Sequence, residues 1–305
     1  MIATRDAYGE ALKELGEINE NIVVLDADLS GSTKTSVFQK AFPNRFFNVG
    51  IAEQNLIGTA AGLATAGKIP FASSFAMFAT GRAFEIIRNS VCYPRLNVKI
   101  AATHAGLTVG EDGATHQALE DISLMRTLPN MVVLCPADAV ETKQCIFKAV
   151  EYDGPVYIRL GRAKVPVIFD ENYEFQLGKG VQLKDGKDIT IIATGVMVER
   201  ALRASERLME EGISARVINI STIKPIDKDI IIKAAKETKG IITVEEHSII
   251  GGLGSAVAEV VAESHPTKVI RIGTMDTFGE SGDGFELLDK YGLSVDNIVN
   301  KAKLL

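Results

Sequence analysis

The chain reads as α/β, with two doubly wound domains and mostly parallel sheets, and three observations predict this. Short apolar runs alternate with amphipathic helical segments, and the alternation starts over in the second half. A length of 305 residues suits two domains at roughly 150 residues each. Strands that alternate with helices imply right-handed crossovers and sheets covered on both faces.

The opening segment MIATRDAYGEALKELG is amphipathic and helical. It is not a basic segment leading into an apolar one, so no signal peptide is expected. The strand candidates of the first half are NIVVLDAD, IPFASSF, NVKIAATH, MVVLCPAD and PVYIRLG, with helices between them such as Ala139 to Tyr152. Together they make a first domain over residues 1–165. RAKVPVIFDENYEFQLGKG carries charge, Pro and little periodicity, and predicts a linker over residues 166–185. DITIIATG, SARVINIS, KGIITVEEH and KVIRIG then restart the pattern in a second domain, residues 186–305.

Composition excludes several classes. The hydrophobic fraction is 46% and the charged fraction 24%, the profile of an ordinary globular chain with ample core. A net charge of -6 without a dense Lys/Arg cluster argues against a nucleic-acid surface. No apolar run reaches the roughly 18 residues of a membrane span. Cys92, Cys135 and Cys145 lack C-x-x-C spacing and lie in apolar segments, so reduced core thiols and a cytoplasmic location are expected.

In open α/β sheets ligands gather beyond the carboxyl ends of the strands. That singles out DADLSGST, FASSFAMF, ATHAGLTVGEDGATHQ and IRLGR, all in the first domain. Glu53 heads the run EQNLIGTAAGLAT, whose small residues Gly58, Ala60, Ala61, Gly62 and Ala64 suit a helix packed closely on another backbone. An ionised carboxylate there is costly without a partner, although an acid also complements the helix dipole. His104 and His116 bracket Glu111 and Asp112 in a Gly-rich loop, a place for function. His116 can alternatively cap a helix beginning near Gln117; no metal-ligand spacing is present. Phe75, Phe78 and Phe84 suit either the core or a flat platform for a cofactor ring. Arg5, Arg162 and Arg82 end apolar segments, as solvated charges or, with His104, as an anion pocket.

In this order, NVGIAEQNLIGTAAGLA, SFAMF and HAGLTVGEDGATHQALEDISLMRTLPNM resemble the pyrimidine-binding domain of transketolases, and the second domain looks like the transketolase C-terminal domain. Single-chain transketolases carry a further N-terminal domain, so the chain looks like the C-terminal subunit of a split transketolase. The resemblance implies thiamine diphosphate as cofactor. It gives Glu53 the hydrogen bond to N1′ of the aminopyrimidine ring, through which the cofactor is activated, with Phe75 and Phe78 as the wall against that ring. Asp28 lies near the cofactor cleft. Asp112 and His116 contact sugar hydroxyls, His116 with a catalytic part, and Arg5, Ser32, His104 and Arg162 stand at phosphate-binding positions. The implied reaction transfers a two-carbon ketol unit from a ketose phosphate to an aldose phosphate, with the sugars of the pentose phosphate pathway as the default.

Departures accompany the resemblance. Gly81 stands where many transketolases have an aromatic residue. The family holds Mg²⁺ and diphosphate through G-D-G followed by Asn-Asn. SGDGFELL contains the tripeptide but no Asn-Asn comes after it, and it reads as a turn before a short helix. GGLGSAVAEVV likewise reads as a structural turn. A partner subunit carrying G-D-G and Asn-Asn is therefore implied, holding most of the Mg²⁺ contacts in an α2β2 assembly. The neighbouring families, deoxyxylulose-phosphate synthase and the β subunit of 2-oxoacid dehydrogenases, fit THQALEDISLMRTLPN less well. A non-catalytic scaffold subunit is the remaining reading, against which the joint presence of Glu53, His104, Asp112, His116 and Arg162 speaks.

Overall fold

The first helix, Thr4–Ile18, turns Tyr8, Ala11, Leu12 and Leu15 inward at helical spacing, so burial of one apolar stripe decides its orientation. The same logic of apolar segments seeking cover runs through the computed structural model, which describes all 305 residues. Its strands are β1 (Ile2–Ala3), β2 (Ile22–Asp26), β3 (Phe46–Asn48), β4 (Ile69–Phe75), β5 (Lys99–Thr103), β6 (Val132–Leu134) and β7 (Val156–Arg159). After these come β8 (Lys164–Val165), β9 (Val181–Lys184), β10 (Ile189–Ala193), β11 (Ala215–Asn219), β12 (Thr222–Lys224), β13 (Ile241–Ser248) and β14 (Val269–Thr274).

A seven-stranded sheet runs in the order β12-β6-β7-β5-β4-β2-β3, and a five-stranded one in the order β14-β13-β10-β11-β9. Within them only β12 against β6 and β9 against β11 are antiparallel; the rest is parallel. These are two α/β units with mostly parallel sheets, and every strand candidate named from the sequence is present. β2, β5, β7, β10 and β11 are buried at every position, as expected of strands covered on both faces.

Three connections were not visible in the pattern. β1 pairs with β8 in a two-residue ribbon that closes the N-terminus onto the end of the first sheet. β9 lies inside the segment read as a linker and forms the edge of the second sheet. β12 comes from the second half yet completes the first sheet beside β6. The halves also share apolar contacts, since one core of 38 residues includes Val133 and Cys135 together with Ile192, Ile218 and Ile231.

Helix Glu53–Thr65 corrects an expectation. Leu56, Ile57, Ala60 and Ala61 are buried, but Gln54, Asn55, Gly58 and Gly62 are exposed. A Cβ at Gly58 or Gly62 would meet nothing within 4 Å, so these two glycines, unlike Ala60 and Ala61, pack on no part of this chain. No helix is long and apolar enough to cross a membrane.

Candidate active site

Five loops leave the carboxyl ends of β2, β3, β4, β5 and β7 and meet at one end of the first sheet, where a doubly wound sheet opens its crevice. The loop after β2 is pinned from below. The buried carboxylate of Asp26 accepts from Leu29 N at 2.5 Å, Thr33 Oγ1 at 2.7 Å and Thr35 Oγ1 at 2.9 Å. Burial raises its pKa against those bonds. This holds Ser32, whose main-chain carbonyl accepts from Arg5 Nη1 at 3.0 Å. Asp28 sits exposed on the rim in a left-handed conformation, φ 64°, and accepts from Asn48 Nδ2 at 2.8 Å.

Arg5 also donates from Nη1 to His104 Nε2 at 3.0 Å, while His104 Nδ1 lies 2.8 Å from Thr103 Oγ1. Because guanidinium can only donate, Nε2 is the acceptor and the imidazole proton is on Nδ1, directed at Thr103. Burial, then Arg5 and Arg162, push the His104 pKa down to about 3, so it is uncharged at neutral pH. The cations of the expected anion pocket are thus Arg5 and Arg162, without His104. The His104 ring stacks on Phe75, centroids 3.8 Å apart.

After β4 the chain winds through a wide-turned π-helical segment, Phe78–Arg82, a distortion common at functional sites. Phe75 and Phe78 lie nearly parallel, 16° between planes and 6.0 Å between centroids. Arg82 covers Phe78 at 4.4 Å and places Nη1 3.2 Å from both carboxylate oxygens of Glu53. Arg82 therefore does not join Arg5 in an anion pocket; it partners the opening acid of helix Glu53–Thr65. The carboxylate is 4% exposed and the arginine 54%. Beside them opens a cleft of about 700 Å³ lined by Ile51, Ala52, Glu53, Gln54, Asn55 and Arg82. Gly81 lies within the same π-helical segment.

The loop after β5 carries His116, whose ring meets Phe78 edge-on at 5.2 Å. The helix expected near Gln117 begins at Asp121 instead. Gln117 is occupied otherwise, its amide donating to the carbonyls of Leu107, Gly110 and Glu280. Asp112 and Glu111 pair with Arg162 at 3.5 Å and 3.3 Å, and Arg162 Nη1 also donates to Val109 O. Arg162 is thereby half-tethered by two carboxylates rather than free. No three His, Cys, Asp or Glu side chains converge as a metal cluster.

The structure thus joins Glu53, through Arg82, to Phe78, His116, Phe75, His104, Arg5 and Ser32 in one run of contacts, with the pair Asp112 and Arg162 formed separately. Asp28 is tied to it only through Asn48. Sequence reading missed the Arg82–Glu53 pair; the signal available was Arg82 one helical turn beyond Phe78. It also missed Glu246 of the second half, whose carboxylate accepts from Thr108 N at 2.5 Å.

Both Gly-rich segments form turns before helices. Asp283 caps helix Gly284–Lys290 by accepting from Phe285 N and Glu286 N. Glu245 accepts from Leu253 N and Gly254 N at the start of helix Leu253–Ser264.

Residues 1–167 match the pyrimidine-binding domain of transketolase and residues 178–298 its C-terminal domain, and the chain belongs to the transketolase family. Within that family it is similar to separately encoded C-terminal sections and subunits. A Methanocaldococcus jannaschii protein provisionally named a transketolase C-terminal section is 59% identical over 97% of this chain and 94% of that protein. A solved structure described as "Split gene transketolase, inactive beta4 tetramer" matches with a TM-score of 0.93 and 59% identity, over 99% of this chain and 98% of that one. The 6-deoxy-6-sulfo-D-fructose transketolase subunit of Clostridium sp. (strain MSTE9) is 44% identical, over 98% of this chain and 92% of that protein.

Proposed function

We propose that this chain is the C-terminal subunit of a heteromeric, cytoplasmic transketolase that moves a two-carbon ketol unit from a ketose phosphate to an aldose phosphate. The observation that carries the reading is Glu53. It is a buried carboxylate at a helix start, opening on a cleft and joined through Arg82 to Phe78, whose ring lies nearly parallel to Phe75 and edge-on to His116. Those groups fit an aminopyrimidine, with an acid for a ring nitrogen and a flat apolar wall for the ring face. Thiamine diphosphate, when bound, supplies the electron sink for breaking and making the carbon–carbon bond.

The residues of this chain supply placement and proton transfer. Glu53 would hold or move a proton at its carboxylate toward a ring nitrogen of the cofactor, with Arg82 giving up part of its hold, a role commonly worth about 10²–10⁴ in rate. Phe75 and Phe78 would orient the ring, and Asp28, bonded to Asn48, would stand near the cofactor. His116 and Asp112 hold and exchange protons with sugar hydroxyls. Arg5 and Arg162, with Ser32, take the phosphate end, and neutral His104 keeps Arg5 in line through Nε2. For this to happen Arg162 must leave Glu111 and Asp112 in part, which makes sugar binding a trade of ion pairs.

A partner subunit bearing G-D-G and Asn-Asn would hold the diphosphate and Mg²⁺ in an α2β2 assembly. The open face of helix Glu53–Thr65, with Gly58 and Gly62 bare and Ile51 76% exposed, supports a protein surface meeting it there.

The test is ketol transfer from xylulose 5-phosphate to ribose 5-phosphate with Mg²⁺ and thiamine diphosphate. This chain alone is compared with its mixture with a separately expressed protein from the same cell carrying G-D-G and Asn-Asn. Activity in the mixture alone supports the reading. Activity of the chain alone refutes the need for a partner, and a stable but inactive mixture refutes this pair of sugars.

A further inference from the structure

We infer that Glu246 is a positioning residue for the sugar: from the second domain, it fixes the loop that carries Asp112 and His116. This rests on the reading of that loop as the sugar-binding element. The loop is a short 3-10 stretch, Leu107–Asp112, interrupted by a kink at Gly110. Gly106, Gly110 and Gly113 all take left-handed φ values, 82°, 82° and 75°. Beyond that stretch, Gly113 N bonds to Gly110 O, and His116 N and Gln117 N bond to Gly113 O. It is held from both sides: Gln117 and Arg162 of the first domain bind its carbonyls, and Glu246, Glu280 and Ser281 hold it from the second.

Glu246 Oε1 accepts from Thr108 N at the first turn of the loop, and both residues are buried. The carboxyl carbon lies only 2.3 Å from where a Cβ on Gly106 would stand, so the acid and the glycine fit each other. Arg159 fixes the acid's backbone, donating from Nη2 to Glu246 O at 2.9 Å while its Nε pairs with Asp121 at 2.8 Å. Farther along, Gln117 reaches Glu280 O at 2.9 Å and Ser281 Oγ donates to Glu111 O at 2.7 Å. The Gly-Asp-Gly turn completes the seat, with Gly282 O 3.2 Å from a Cβ on Gly110. An ionisable group buried in order to hold one loop amide is expensive, and a neutral residue would serve packing equally well. What the acid adds is a fixed acceptor at the hinge of the loop.

The experiment uses the full chain assembled with its partner. Glu246→Ala should raise the KM for the sugar about tenfold, the scale of one buried donor left unpaired. Thiamine diphosphate affinity, measured by calorimetry, should not move, because the cleft at Glu53 is built from other loops. Glu246→Gln keeps an acceptor oxygen and should restore KM. Glu246→Asp keeps the charge beside Arg159 but withdraws the acceptor, and should behave as Ala does; it serves if Ala fails to fold. Independently of activity, amide hydrogen exchange in the chain alone should rise at least about tenfold at Thr108 and through Gly113 in the Ala or Asp variant. It should stay unchanged at Leu56–Ala61. An unchanged KM in a folded variant, unchanged exchange in the loop, or equal loss of sugar and cofactor affinity would each overturn the inference. If the wild-type assembly transfers no ketol unit, the functional reading fails while the exchange result still decides what holds the loop.

Discussion

Arg82 Nη1 stands 3.2 Å from both oxygens of Glu53, bridging a half-exposed cation to an acid that is almost completely buried. The pair links the π-helical turn after β4 to the first residue of helix Glu53–Thr65. Glu53→Gln removes the charge and keeps the shape. Turnover of the assembled enzyme should fall by about 10²–10⁴ while the subunits still associate. Steady-state rates and sedimentation check the two halves of that statement, and unaltered turnover would favour a scaffold.

Arg82→Ala acts on the same pair from the other side. It leaves the buried carboxylate without its cation and strips Phe78 of its cover, 4.4 Å away. Chemical denaturation of the isolated chain should show a loss of about 1–3 kcal/mol. Lys should recover only part of it, since a point charge cannot address both oxygens as a planar fork does.

His104 makes a prediction about pH. Burial and the neighbouring Arg5 and Arg162 push its pKa down to about 3, so its charge does not change in the working range. The pH dependence of sugar-phosphate KM should follow the second ionisation of the phosphate, near about 6. His104→Gln should shift the magnitude of KM and leave the shape of its profile, over roughly pH 5.5 to 8, unaltered. A profile flattened by the substitution would show that the ring titrates.

Glu141 points the other way. Burial raises its pKa from 4.5 to about 7, against bonds from Ala137 N and Tyr173 OH. A carboxyl raised in the folded state contributes stability that is fully present below 4.5 and lost as pH rises through about 7. Glu141→Gln should therefore gain on the wild type across that window. Parallel urea titrations at pH values spanning it would reveal the change, and a constant difference would contradict it.

Much of this was legible beforehand, for physical reasons. Apolar runs such as IVVLD and ITIIA must be buried on both faces, so the central strands could be read directly. The loops at their carboxyl ends followed from the winding of the sheet. Short edge strands carry no such signature: Val181–Lys184 is only partly buried and looks like linker. Arg82 was readable as a cation but not as the partner of Glu53, because pairing across 29 positions depends on the π-helical turn. Glu246 lay still farther out of reach, 138 positions from Thr108. The helix expected near Gln117 failed because that side chain binds loop carbonyls, delaying the first helical turn to Asp121. Gly58 and Gly62 suggest a close neighbour, but no part of this chain provides one.

β12 pairs antiparallel with β6, Thr222 beside Leu134 and Lys224 beside Val133, although the two belong to halves matched to different domains. Ancestry and folding therefore divide this chain at different places. As the polypeptide emerges during synthesis, the first sheet can assemble only up to Val132–Leu134, and its outer main-chain groups stay bare until the second half emerges. An uncapped strand of that kind invites pairing with a neighbouring nascent chain. A fragment ending at residue 167 would keep that bare margin permanently, and association of such fragments edge to edge would be its natural fate.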